Sequence, residues 1–182
     1  MIQKFALIKI LTALLEATEE VSLRGLSRTA KVSASTAKYC LDYLEENKLL
    51  RKRHIGKLSL YTMNPDSVLL RQIKILKSVA EIEHSRLVQE IRSRVPQTLS
   101  ISLFGSVAQG TDTPASDIDL LIIVRKKTSL PPFSAEKKIK RELAPLCYTL
   151  AEWRDKARTD KAFYEGVVYN AISLFGEKPV VT

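Results

Sequence analysis

One stretch of this chain carries residue types and spacing suited to chemistry on phosphates. Gly105-Ser106 is followed, after ten residues, by Asp117-Ile118-Asp119. Side chains at i and i+2 of a strand point to the same face. Asp117 and Asp119 therefore share one face, and Ile118 and Leu120 share the other. Two carboxylates held together repel each other, and a divalent cation between them removes the repulsion. Hard oxygen ligands suit Mg²⁺, which usually takes one or two carboxylates plus substrate phosphates. Gly105 lets backbone approach a phosphate closely. Ser106 offers a hydroxyl and a backbone N–H where a short helix is expected to start, a favourable place for an anion. Together these parts describe metal-assisted phosphoryl or nucleotidyl transfer.

The elements that must position these groups are legible around them. Residues 99–104 read as a strand leading into Gly105-Ser106, with a short helix through Ala108. Gly110 and Pro114 mark a loop, and Ile118–Val124 is an apolar strand interrupted only by Asp119. The periodicity then predicts a charged helix over 134–144, a third strand over 146–150, and helices over 152–166 and 167–175. Upstream, apolar residues at mostly three- and four-residue steps predict one long helix over 66–94, stopped by Pro96.

Phe104-Gly105-Ser106-Val107-Ala108-Gln109-Gly110 and Ser116-Asp117-Ile118-Asp119-Leu120-Leu121 resemble the signature of minimal nucleotidyltransferases of the DNA polymerase β superfamily. The resemblance covers about half the chain, from Leu99 to near Gly176. It implies a small α/β domain with a mixed sheet, which binds an NTP, ATP foremost, through Mg²⁺ or Mn²⁺. It implies transfer of NMP with release of pyrophosphate. By position, Gly105 and Ser106 would hold the nucleotide phosphates, and Asp117 and Asp119 would be the catalytic metal ligands. Such proteins often serve as antitoxins that modify a HEPN-family toxin, which makes such a toxin a candidate partner. One feature departs from the pattern. Active members carry a third carboxylate on a later strand, and the strand expected over 146–150 holds no acid. Glu152 is the nearest downstream candidate, and Glu142 lies upstream in the expected helix. Three readings stay open: an enzyme that moves NMP to a protein hydroxyl, a transcriptional regulator whose degenerate domain binds nucleotide without catalysis, and transfer of NMP onto bound nucleic acid.

The first 64 residues read differently. Three helices are expected, the second capped by Ser22 and the third by the turn 32–36, followed by strands over 51–54 and 58–63. This order resembles the winged helix-turn-helix of MarR-like and ArsR-like regulators. The resemblance implies that Ser33, Ser35, Thr36, Lys38 and Tyr39 start a helix that reads double-stranded DNA. Arg51, Lys52, Arg53 and Lys57 would form a wing on the phosphates. It also implies a homodimer.

The full chain of 182 residues has 29 Lys+Arg against 20 Asp+Glu, a net +9 that suits a polyanionic partner. Residues 1–65 carry +5 of it, about twice the charge density of the remainder. The fold expected is α+β: a winged helix over 1–64, a connector helix over 65–96, and a nucleotidyltransferase domain over 97–182. No apolar run approaches the roughly 18 residues of a membrane span, so no membrane partner is expected. Lys9 breaks the early apolar stretch, and Glu16, Glu19 and Glu20 stand where a leader would be cleaved. The two cysteines, Cys40 and Cys147, are far apart. Both features fit a reducing cytoplasm. His54 and His84, the only histidines, have no supporting motif.

Overall fold

The computed structural model describes residues 5–181; residues 1–4, among them the Ile2 of the first helical pattern, and residue 182 lie outside the described part. The chain divides into two compact units, Met1–Gln72 and Ile73–Thr182.

The first unit contains α1 (Ala6–Glu16), β1 (Val21–Ser22), α2 (Leu23–Ala30), α3 (Ala34–Glu46), β2 (Leu50–Ile55) and β3 (Leu58–Met63). Serines start two of the helices. Ser22 accepts from the Gly25 N–H at 3.2 Å, and Ser33 accepts from the Thr36 N–H at 3.1 Å. Each satisfies a donor that a helix start leaves unpaired. Ile10, Leu14, Leu26, Ala37, Leu41 and Leu44, on the apolar faces of the three helices, are buried. The strands form an antiparallel sheet in the order β1-β3-β2. β2 and β3 turn at Gly56-Lys57, with Ile55 opposite Leu58, and Gly56 takes the positive φ of +57° that the tight turn requires.

α4 (Val68–Ser85) and α5 (Leu87–Arg94) replace the single helix expected over 66–94. Arg86 adopts φ +63° between them. The Ser85 hydroxyl donates to the Ile82 carbonyl at 2.7 Å and accepts from the Leu87 N–H at 3.1 Å. The break was invisible to periodicity because Val79, Ile82, Leu87, Ile91 and Val95 all still reach one core.

The second unit is built on a mixed sheet in the order β6-β5-β4-β7, formed by β4 (Thr98–Phe104), β5 (Ile118–Val124), β6 (Leu143–Thr149) and β7 (Ile172–Phe175). β4 runs antiparallel to β5 and β7, and β6 runs parallel to β5. On one face Ile101, Leu103, Ile118, Leu120 and Ile122 pack with Ile82, Leu87, Ile91, Phe133 and Ile139. On the other, Leu121 and Ile123 pack with Trp153, Val167 and Ala171. Covered on both faces, β5 has the almost uninterrupted apolar sequence such a strand needs. Two expectations are corrected here. The helix over 134–144 is only α7 (Ala135–Ile139), because Lys140 turns to φ +59° and the chain enters β6 at Leu143. The last segment is α9 (Lys161–Asn170) followed by β7, because β4 recruits residues 172–175 as its second neighbour. α6 (Gly105–Gln109) and α8 (Leu150–Thr159) complete the unit. Among the described residues no helix is long and apolar enough to cross a membrane.

Candidate active site

The two halves of the glycine–aspartate motif meet because β4 and β5 are antiparallel neighbours. Phe104, the last residue of β4, stands opposite Asp119. Gly105 follows with φ +72°, a conformation that side chains other than hydrogen resist. The Asp119 carboxylate occupies the place a Cβ would take: an added Cβ would lie 2.9 Å from Asp119 Cγ. Glycine is required here on two counts, backbone conformation and the carboxylate beside it. Ser106 lies in the first turn of α6, and its carbonyl accepts from the Thr111 N–H at 3.0 Å.

Asp117 is exposed at the mouth of β5 and Asp119 is half-buried one pleat further in. Alternation along β5 puts Asp119 on the face of Leu121 and Ile123. Burial, and then the charge of Asp117, raise the Asp119 carboxyl above the usual carboxylate range, and the Arg141 cation partly offsets them. This is the electrostatic situation that a divalent cation relieves. The donors are carboxylate oxygens, so the pair fits Mg²⁺ or Mn²⁺. Among the described residues no cluster of three or more His, Cys, Asp or Glu forms a ready-made metal cage.

The structure separates the two candidates for a third acid. Glu152 belongs to the opposite end of the sheet. It closes the cap of α8, accepting from the Thr149 N–H at 2.7 Å, and pairs with Lys127 at 2.9 Å. Those partners, the Thr149 N–H above all, hold its carboxyl below the usual range. Thr149 pairs with Val124 at the far end of β5, roughly 20 Å from the Asp117 end at about 3.3 Å per residue. Glu142 is not helical, contrary to expectation. It is exposed immediately before β6, and its carbonyl accepts from the Ile118 N–H at 2.9 Å. Ile118 pairs with Leu143, and Asp119 with Ala144. Extending that register puts Glu142 beside Asp117 at the same end of the sheet.

Sequence reasoning missed a second set of residues around the loop 110–117. Asp112 is only 8% exposed. Its Oδ2 meets Arg141 Nη1 at 3.0 Å and its Oδ1 meets Lys74 Nζ at 3.2 Å. Arg141 Nε donates to the Ser116 carbonyl at 2.7 Å. The charges of Lys74, Asp112 and Arg141 could be read in the sequence, but their sequence separation hid the pairing.

In the first unit, Ser33, Ser35 and Thr36 are tied together, with Ser33 Oγ 2.9 Å from Ser35 Oγ and 2.7 Å from Thr36 Oγ1. Tyr39 projects from α3 with 76% of its surface exposed. Lys38 pairs with Asp42 at 2.6 Å and Lys52 with Glu45 at 3.5 Å. Arg51 pairs with Asp66 and Arg53 with Glu20. Lys57, at the hairpin turn, has no ion-pair partner among the described residues.

A mixed sheet that brings a glycine turn against paired aspartates is the framework of a nucleotidyl-transfer domain. Residues 84–179, rather more than half of the chain, match the nucleotidyltransferase domain family, and the chain belongs to it. No curated protein matches the chain.

Proposed function

We propose that the second unit transfers NMP from an NTP, ATP foremost, to a hydroxyl of a protein or nucleic acid, and that the first unit is a winged helix that binds double-stranded DNA. The observation that carries the first half is the close approach of the Asp119 carboxylate to Gly105, with the charge of Asp117 acting on that carboxylate. Asp117 and Asp119 would hold Mg²⁺, which when bound screens and orients the phosphates. Gly105 leaves room for the Asp119 carboxylate, and phosphate would meet the Gly105 backbone outside that space. Ser106 donates its hydroxyl and N–H to phosphate oxygens. The acceptor oxygen bonds to the α-phosphorus as the bond to pyrophosphate breaks. The acceptor's proton passes to a carboxylate, and Glu142 Oε is the further acid at that end of the sheet.

The order of α1 to β3, the exposed Tyr39 and the cations of β2 support the winged helix. The internal ion pairs of Lys38, Arg51, Lys52 and Arg53 do not oppose it. Exposed pairs of this kind contribute little, so phosphates can take over those cations at little cost. A second reading is favoured by the absence of an acid from β6: a regulator that senses nucleotide without transferring it. A HEPN-family toxin as acceptor, a homodimer and a cytoplasmic setting belong to the first reading as its finer parts.

Incubation of the purified chain with Mg²⁺ and each α-³²P-NTP in a lysate of its host, beside Asp117→Asn/Asp119→Asn, tests this. Label on a discrete protein or RNA with the wild type alone is the expected result. No label with any NTP, while calorimetry still detects nucleotide binding, would overturn transfer and leave the sensing reading.

A further inference from the structure

Arg141 is 11% exposed at its side chain and holds two points of the loop at once. Nη1 pairs with Asp112, just before the turn 113–116, and Nε donates to the carbonyl of Ser116, the last residue of that turn. The turn is itself closed by the Ser116 N–H donating to the Thr113 carbonyl at 3.0 Å. Ser116 directly precedes Asp117. Lys74 also holds Asp112, by an ion pair to Oδ1 and a hydrogen bond to the Asp112 carbonyl. One donor of the fork, Arg141 Nη2, is buried with no partner among the described residues. A buried donor without a partner costs about 1–3 kcal/mol, so an arrangement serving stability alone has reason to avoid it.

We propose that Arg141 is a positioning residue of the nucleotidyl-transfer site: by clamping Asp112 and the Ser116 carbonyl together it fixes the point where Asp117 leaves the loop, and so the spacing of the Asp117–Asp119 pair toward a divalent cation. This rests on the reading of those aspartates as metal ligands. The role proposed needs no contact with nucleotide or metal. Arg141 acts through the backbone of Ser116. Its fork is needed for this, because a lysine ammonium lacks the rigid planar geometry that reaches both acceptors.

Charge and geometry make opposite forecasts. If Arg141 acts only as a nearby positive charge, removing it strengthens cation binding at Asp117 and Asp119. If it positions them, removing it weakens binding. The probe is Mn²⁺ alone, titrated into the full chain and followed by the electron-spin resonance of free Mn²⁺. Wild type, Arg141→Gln, Arg141→Lys and Asp117→Asn/Asp119→Asn are compared, with circular dichroism and thermal melts to confirm folding. Both Arg141 variants are expected to bind Mn²⁺ about 10–100-fold more weakly, the loss typical when a group that orients metal ligands is removed. Lysine is expected not to rescue, although it keeps the charge. Should Arg141→Gln fail to fold, the charge-conserving lysine variant decides. Equal or tighter Mn²⁺ binding in a folded variant overturns the proposal. Wild-type binding no better than that of the double-aspartate variant overturns the metal reading itself, a separate and recognisable result.

Discussion

Replacing Gly105 by alanine tests the site through a single methyl group. Two costs follow from the geometry. The backbone at φ +72° is left-handed, which costs a residue with a Cβ about 1–2 kcal/mol. The new Cβ also meets the Asp119 side chain, 2.9 Å from Cγ and 3.2 Å from Cβ. A carboxylate is the free end of a side chain and can swing aside, so the collision is relieved by moving it on the order of 1 Å. Misplacement on that scale is enough to cost roughly 10²-fold in rate. The expected phenotype is therefore lopsided. The melting temperature of the second unit falls by roughly 5–10 °C, while label transfer and Mn²⁺ binding fall by about two orders of magnitude. A double-mutant cycle separates the two costs. In an Asp119→Ala background the carboxylate is gone, so Gly105→Ala should destabilise less than it does alone. Thermal melts of the four proteins supply the coupling energy. Strict additivity, or Gly105→Ala with wild-type Mn²⁺ affinity, would refute the placement of Asp119 against Gly105.

Three further outcomes are expected. Glu90 reaches across from α5 to cap α7, accepting from the Ser134 N–H at 2.7 Å, the Ala135 N–H at 2.9 Å and the Ser134 hydroxyl at 3.0 Å. The Ser134 N–H, first of all, holds its carboxyl below the ordinary 4.5. Its stabilisation is therefore complete above pH 4.5 and lost as pH falls through the depressed value, so the wild-type minus Glu90→Gln difference in melting temperature should shrink in acid below pH 4.5. A pH-independent difference would contradict this. Trp153 is fully buried and donates from Nε1 to the Pro179 carbonyl at 2.6 Å. Trp153→Phe should cost about 2–3 kcal/mol in urea unfolding, from the missing hydrogen bond and the void left by the smaller ring. Lys52→Ala/Arg53→Ala should weaken duplex-DNA binding and reduce the slope of log K against log salt by about 2, near 0.9 for each phosphate no longer neutralised. An unchanged slope in fluorescence anisotropy would remove the hairpin from the proposed DNA interface.

What the sequence shows of this molecule is mostly what is local. Ile118–Val124 is one apolar run and proved to be β5, and Ser22 and Ser33 cap helices because the chemistry of a cap lies within three residues. The proximity of Gly105 to the aspartates followed from their shared motif. The pairing that brings it about, Phe104 opposite Asp119, had to be seen. β1 is two residues long and exists only because β3 offers Tyr61 and Leu60 as partners, so no local signal announces it. Residues 172–175 stand where a helix end is expected and form β7 because they pair with β4. Arg141 looks like one cation in the basic run 137–141. Its hold on Asp112, twenty-nine residues earlier, is a product of packing.

The pairing of β4 with β5 has a consequence for how this motif can vary. Gly105 and Asp119 are neighbours across the sheet, so the ladder, not the spacer, decides their separation. Thr113, Pro114 and Ala115 are exposed at the tip of the spacer, between the anchors at Asp112 and Ser116. Doubling the length of a flexible loop adds only about 0.6 kcal/mol to its closure cost. The tip can therefore lengthen, or carry an inserted peptide tag, with the aspartates still in place, provided both anchors are kept. A motif defined by counting residues between its ends is then narrower than the geometry it stands for, and homologues with longer spacers belong in the same search.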